Sequence, residues 1–114
     1  MIAVIFELTP HPESASGYFE LAAQLKPQLE GVDGFISVER FQSLAHPGRY
    51  LSLSFWRDEE AVRAWRCHEQ HRAAQQAGRS RLFADYRLRV AAVLRDYGLH
   101  DRHAVPSDSK DTLL

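Results

Sequence analysis

The chain has 114 residues, 45% of them hydrophobic and 25% charged, which is the composition of one ordinary globular domain. Fourteen Lys and Arg against fifteen Asp and Glu leave a net charge of −1, so nothing draws the whole chain to nucleic acid or anionic lipid. No apolar run approaches the ~20 residues of a membrane span, the opening Met1-Ile2-Ala3-Val4 has no basic leader, and the one cysteine, Cys67, cannot form an internal disulfide. A cytoplasmic protein without nucleic-acid or membrane partners is the expectation.

In chain order, Ile2 to Leu8 is apolar and β-branched and stops at Thr9-Pro10-His11-Pro12, which predicts a short strand. Ser14 or Ser16 can cap a following helix, on which Tyr18, Leu21, Ala22, Leu25 and Leu29 share a face; Pro27 would kink or end it, and Gly31 to Gly34 closes it. Phe35 to Leu44 and Tyr50 to Trp56 predict two strands joined through His46-Pro47-Gly48 as a hairpin. Leu51, Leu53 and Phe55 alternate with Ser52 and Ser54, so the sheet has one dry and one more polar face. Asp58 caps a second helix, with Glu59 and Glu60 in its first turn, that runs to about Ala77 and stops at Gly78.

Ala84 to Tyr97 alternates as a last strand, far longer than the usual ~5–6 residues, and is expected to overrun its own sheet toward a partner subunit. The order strand, helix, strand, strand, helix, strand is the ferredoxin-like βαββαβ arrangement: an α+β fold with a four-stranded antiparallel sheet and both helices on one face. Residues 1–98 make this domain and 99–114 a polar C-terminal tail. The open sheet face, expected to carry Val38 or Phe35 with Phe41, is covered by pairing into a dimeric α+β barrel, a homodimer.

The second helix holds the candidate chemistry. Ala61, Trp65, His68, Arg72 and Gln76 share one face, with Ala64, His71 and Gln75 at its edge, and small alanines beside polar groups leave room for a small-molecule substrate. His68-Glu69-Gln70-His71 lacks the H-E-x-x-H spacing, and no third ligand completes a zinc set with Cys67, so no metal is expected. Either His68 or His71 suits a general base, because an imidazole titrates near neutrality. No phosphate-cradling loop or dinucleotide fingerprint occurs, which leaves nucleotide and flavin cofactors without support.

The run "GRYLSLSFWRDEEAVRAWRCHEQHRAAQQAGR" leading into "LFADYRLRVAAVLRDYG", with "LEGVDGFISVERF" upstream, resembles the antibiotic biosynthesis monooxygenase family over about residues 1–98. The resemblance rests on the tryptophan that ends the third strand, Trp65 on the helix and a downstream His. It implies dimeric α+β barrels that include oxygenases of polycyclic aromatic compounds using neither metal nor flavin. It also implies a haem-degrading branch, whose axial His is Gln75 here and whose first-strand Asn is absent from Met1 to Leu8. Carried onto this chain, the resemblance implies a cofactor-independent oxygenase of an aromatic or quinone-type molecule. Trp65 would stack on the substrate, His68 or His71 would take its proton, Arg72 would steady the anion, and Gln75 and Tyr86 would offer hydrogen bonds. A non-catalytic small-molecule-binding barrel and a haem-binding relative stand as alternatives.

Overall fold

The structure, a computed structural model, describes residues 1–75 and 82–111, and for helix residues 69–75 the backbone alone. Within it β1 (Ile2–Pro10), α1 (Ala15–Glu30), β2 (Phe35–Gln42), β3 (Tyr50–Trp56), α2 (Glu59–Gln75) and β4 (Phe83–Ala92) follow in the expected order. The strands form one antiparallel sheet in the order β2-β3-β1-β4. The architecture is the ferredoxin-like α+β fold.

β1 is central because it is apolar on both sides, as a strand flanked by two others requires. Its register sets the faces: Ile2, Val4, Phe6 and Leu8 lie opposite Trp56, Ser54, Ser52 and Tyr50 of β3 and opposite Ala92, Val90, Leu88 and Tyr86 of β4. This is the helix side, since Ile2 and Val4 pack on a core of Leu29, Trp56, Ala61 and Val62. The serine side of β3 is therefore the covered one. Trp56 is 1% exposed and its Nε1–H donates to Ser54 Oγ at 2.9 Å, so a small polar neighbour seats a large ring. Phe35 and Val38, expected on the open face, pack on this core as well, because Phe35 lies opposite Trp56 and Val38 opposite Ser54. The open face carries Ala3, Ile5, Leu51, Leu53, Phe55 and Phe41.

The helices differ from expectation at their ends. Ser14 stands at the N-cap of α1 but its hydroxyl makes no cap bond. Pro27 lies inside α1 without ending it: the helix has only three residues left, and Gly31 N–H closes the end by donating to Gln28 O at 3.2 Å. Asp58 does cap α2, its Oδ1 accepting the Ala61 N–H at 2.9 Å. That bond, followed by the Arg57 guanidinium, holds the Asp58 carboxyl below its ordinary value. A depressed carboxyl contributes stability that is complete above the unfolded aspartate range near ~3.9 and disappears as pH falls through the folded value. Urea midpoints of the wild type and Asp58→Ala should therefore differ at about pH 7 and draw together as the pH is lowered through the carboxylate range; a gap that does not narrow would show that the charge on Asp58 does not stabilise the cap.

The predicted helix end at Ala77 and Gly78 lies outside the described residues. β2 stops at Gln42 rather than Leu44, and β4 at Ala92 rather than Tyr97. The alternation runs on, but the ladder with β1 closes where Val93 N–H donates to Met1 O at 3.0 Å. The chain then leaves the sheet with Leu94 87% and Leu99 80% exposed. Beyond it Arg102 gathers the segment, donating to Gly98 O, Ser109 O and Lys110 O and lying 5.6 Å from the Tyr97 ring centroid.

Candidate functional site

The two helices cover the helix side of the sheet unevenly. Ala61, Val62 and Trp65 seat α2 on a core shared with Phe35, Trp56, Ile2 and Val4. On β4 the residues facing the same side stay open: Tyr86, Leu88 and Val90 are 62%, 52% and 46% exposed. Together with Val4 and Phe6 they form an apolar shelf on the helix side of the sheet, which Tyr18 of α1 meets at Phe83. Its far end is aromatic, with Phe6, Phe83 and Tyr86 meeting edge to face at centroid distances of 5.7–6.0 Å. Such a shelf suits a flat or cyclic apolar molecule, because aromatic edges and aliphatic side chains offer contact area without fixing a charge.

Trp65 is half-buried against the core, and its ring lies 5.5 Å from that of His68, tilted by 41°. His68 leans toward α1, where its Nε2 lies 2.9 Å from Gln28 Oε1. An amide oxygen only accepts, so it is the tautomer with the hydrogen on Nε2 that donates to it. His68 and Ala64 line an open groove of about 640 Å³ with Pro27, Gln28, Val32 and Asp33. A smaller hollow of about 140 Å³ lies at the other end of the sheet, among Glu7, Thr9, Arg49, Asp85 and Arg87.

The predicted residues are thus brought together only in part. Trp65 and His68 are neighbours. Tyr86 stands opposite Leu8, four residues along β1 from Val4 and so about 13 Å from the core end of the shelf. The side chains of His71, Arg72 and Gln75 lie outside the described residues. Cys67 is an exposed free thiol. Among the described residues no three His, Cys, Asp or Glu side chains converge on a metal position, and no helix is long and apolar enough to cross a membrane.

Sequence reasoning missed Gln28, Phe6, Leu88 and Val90. The last two were within reach through the alternation that singled out Tyr86. Gln28 had no local signal, since it meets His68 forty positions away.

The antibiotic biosynthesis monooxygenase family pattern matches residues 1–77. The chain belongs to that family. Among its relatives, jasmonate monooxygenase ABM of Pyricularia oryzae is 47% identical over 93 residues, which is 82% of this chain and 43% of the relative. The chain thus spans less than half of that fungal protein's length. The uncharacterized protein YqjZ of Bacillus subtilis is 36% identical over 82% of this chain and 79% of its own. In three dimensions Rv0793 from Mycobacterium tuberculosis superposes with a TM-score of 0.71 at 22% identity, covering 85% of this chain and 98% of the other. The shared sequence gives the chain its place as an antibiotic biosynthesis monooxygenase relative, and the superposition gives it the family's sheet-and-helix frame.

Proposed function

We propose that this antibiotic biosynthesis monooxygenase relative oxygenates a small, largely apolar cyclic molecule without a bound cofactor, acting as a homodimer. The observation that carries the reading is the exposure of Tyr86, Leu88 and Val90 on the helix side of β4, apolar surface that a fold built for stability alone would bury. The jasmonate named for the fungal relative and dihydroxyanthracene-type hydroquinones are the two compound classes to offer first.

In this reading the substrate supplies the electrons. His68 Nδ1, with Nε2–H held by Gln28, takes a proton from an acidic C–H or O–H position. The carbanion or phenolate passes one electron to dioxygen, the two radicals join as a peroxide, and loss of water leaves a new carbonyl. The atoms balance: a substrate methylene group and one dioxygen become a carbonyl group and one water. Bound substrate covers the exposed shelf and keeps water, which would quench the carbanion, away from the reacting carbon. Arg72 is assigned to the developing anion and Trp65 to stacking, with Gln75 and Tyr86 as hydrogen-bond donors.

Two positions favour the cofactor-free reading over haem, for which His68 or His71 would have to serve as ligand. β1 turns only Ile2, Val4, Phe6 and Leu8 to the helix side, so no amide reaches in from the first strand, and position 75 of α2 is Gln75 rather than His. The open face, with Ile5, Leu51 and Leu53 half-buried and Phe41 44% exposed, supports pairing with a second copy.

Oxygen uptake in the presence of each compound class tests the reading. Uptake should follow substrate, and His68→Gln should slow it by about 10²-fold or more, the usual weight of a general base. Equal uptake by His68→Gln and wild type would remove His68 from the chemistry. Tight binding of either compound with no uptake would favour the non-catalytic barrel.

A further inference from the structure

His68 is exposed on α2, where an imidazole left to itself would turn freely, yet two contacts hold its ring. Trp65, three residues earlier and packed on the core, lies 5.5 Å away between ring centroids. Gln28 of α1 brings its Oε1 to 2.9 Å from Nε2. The end of α1 sets up that reach. Gly31 N–H closes the helix on Gln28 O at 3.2 Å, which fixes the Gln28 backbone, and Ala64, one turn before His68, is too small to fill the groove between the helices.

An amide at this place suits proton transfer. Its oxygen accepts from the neutral ring with the hydrogen on Nε2, and from the imidazolium through the same N–H. The ring can thus gain and lose a proton at Nδ1 without breaking the bond or turning. Once the ring is protonated the bond is charge-assisted, which steadies the base after it has taken its proton. The amide also brings no charge of its own, whereas a carboxylate there would favour the imidazolium and fill the base with a proton from solvent. Asp33, the other ionisable group lining the groove among the described residues, is taken up by Arg57, whose guanidinium meets its carboxylate at 3.2 Å.

We propose that Gln28 is a positioning residue of the reaction, holding the His68 ring through Nε2–H so that the Nδ1 lone pair stays free for the substrate proton. The proposal rests on the reading of His68 as the base and adds what orients it. It gives α1, which carries none of the groups assigned to the chemistry so far, a share in the rate through one side chain.

Gln28→Leu and Gln28→Glu in the full-length protein test it, with His68→Gln to identify the His68 signals. Long-range proton–nitrogen NMR spectra of the wild type should show His68 with its hydrogen on Nε2. Gln28→Glu should raise the midpoint of the His68 titration by about one pH unit. Oxygen uptake is then followed with a dihydroxyanthracene-type hydroquinone and with jasmonate. Gln28→Leu should lower kcat about tenfold with KM within about twofold, the mark of a misplaced base rather than lost binding. Gln28→Glu should recover kcat at high pH, where the ring is neutral, and move the acidic limb of the pH profile upward with the titration. A hydrogen on Nδ1 in the wild type, or a midpoint that Gln28→Glu leaves unmoved, would overturn the bond and the proposal with it. A Gln28→Leu variant with wild-type kcat would overturn the positioning role while His68 stands as base. Equal uptake by His68→Gln and wild type, or none by the wild type, would overturn both, and the spectra would still show whether the bond forms.

Discussion

Trp56→Ala should remove about 3–5 kcal/mol of folding stability, the range for deleting a large buried aromatic side chain. Three features place Trp56 at the upper end. It is 1% exposed; it packs in the cluster that joins α1 through Leu29 and α2 through Ala61 and Val62 to the sheet; and the Phe35 ring meets it edge-on at 5.3 Å. Removing the indole opens a cavity at the one place where all three layers of side chains meet, and it strands the Ser54 hydroxyl, which is 8% exposed. Domains of this size hold only about 5–15 kcal/mol in total. Urea unfolding followed by circular dichroism should therefore show a midpoint shifted by a third or more. Trp56→Phe should cost less, because it keeps most of the apolar volume and loses chiefly the bond to Ser54. A loss below about 1 kcal/mol for the alanine variant would mean that the helices are not anchored through this ring.

Gly34→Ala should cost about 2–4 kcal/mol, from two separable causes. Gly34 has φ +93°, a left-handed value that a side chain resists. A Cβ there would lie 2.7 Å from Ala61 Cβ and 3.3 Å from the Arg57 guanidinium. The close approach is built into the turn, since Arg57 N–H donates to Gly34 O at 2.7 Å and the Arg57 side chain bonds both oxygens of Asp33. This clip ties the α1–β2 turn to the start of α2, and it needs a residue without a side chain at position 34. Adding Ala61→Gly to Gly34→Ala should relieve the clash but not the dihedral cost, so the pair should be measurably non-additive in urea titrations. Strict additivity would show that Ala61 is not what the new methyl meets.

The element order was legible because each segment carries a distinct period. β3 alternates from Tyr50 to Trp56 and is a strand over those residues, and Asp58 followed by two glutamates marks a helix start that the Ala61 bond bears out. Which side of β3 the helices cover was not legible. Alternation says that Leu51, Leu53 and Phe55 differ from Ser52 and Ser54, yet the choice of covered face follows from Trp56, whose bulk needs Ser54 beside it. The end of β4 eludes the pattern for a related reason: the alternation continues to Tyr97, but the ladder with β1 closes at the Val93 N–H to Met1 O bond, a pairing between distant segments. At the site, the amphipathic pattern of α2 identifies Trp65 and His68 as neighbours. It carries no sign that Tyr86 sits at the other end of the shelf, or that Gln28 of α1 holds the imidazole, because both depend on pairings between distant segments.

The central place of β1 bears on how the protein is made. Ile2 pairs with both Trp56 and Ala92, so β1 leaves the ribosome well before either of its neighbours, with β3 following first and β4 last. At about 5–20 residues per second that wait lasts several seconds, during which a nine-residue β-branched segment has unpaired edges on both sides. Contacts so distant along the chain also slow the final collapse, since a large loop must close before any of them forms. Moving the β1 sequence to the C-terminal end by circular permutation would shorten the loop to β4 while keeping every native contact, and faster refolding with unchanged equilibrium stability would trace the delay to chain order alone.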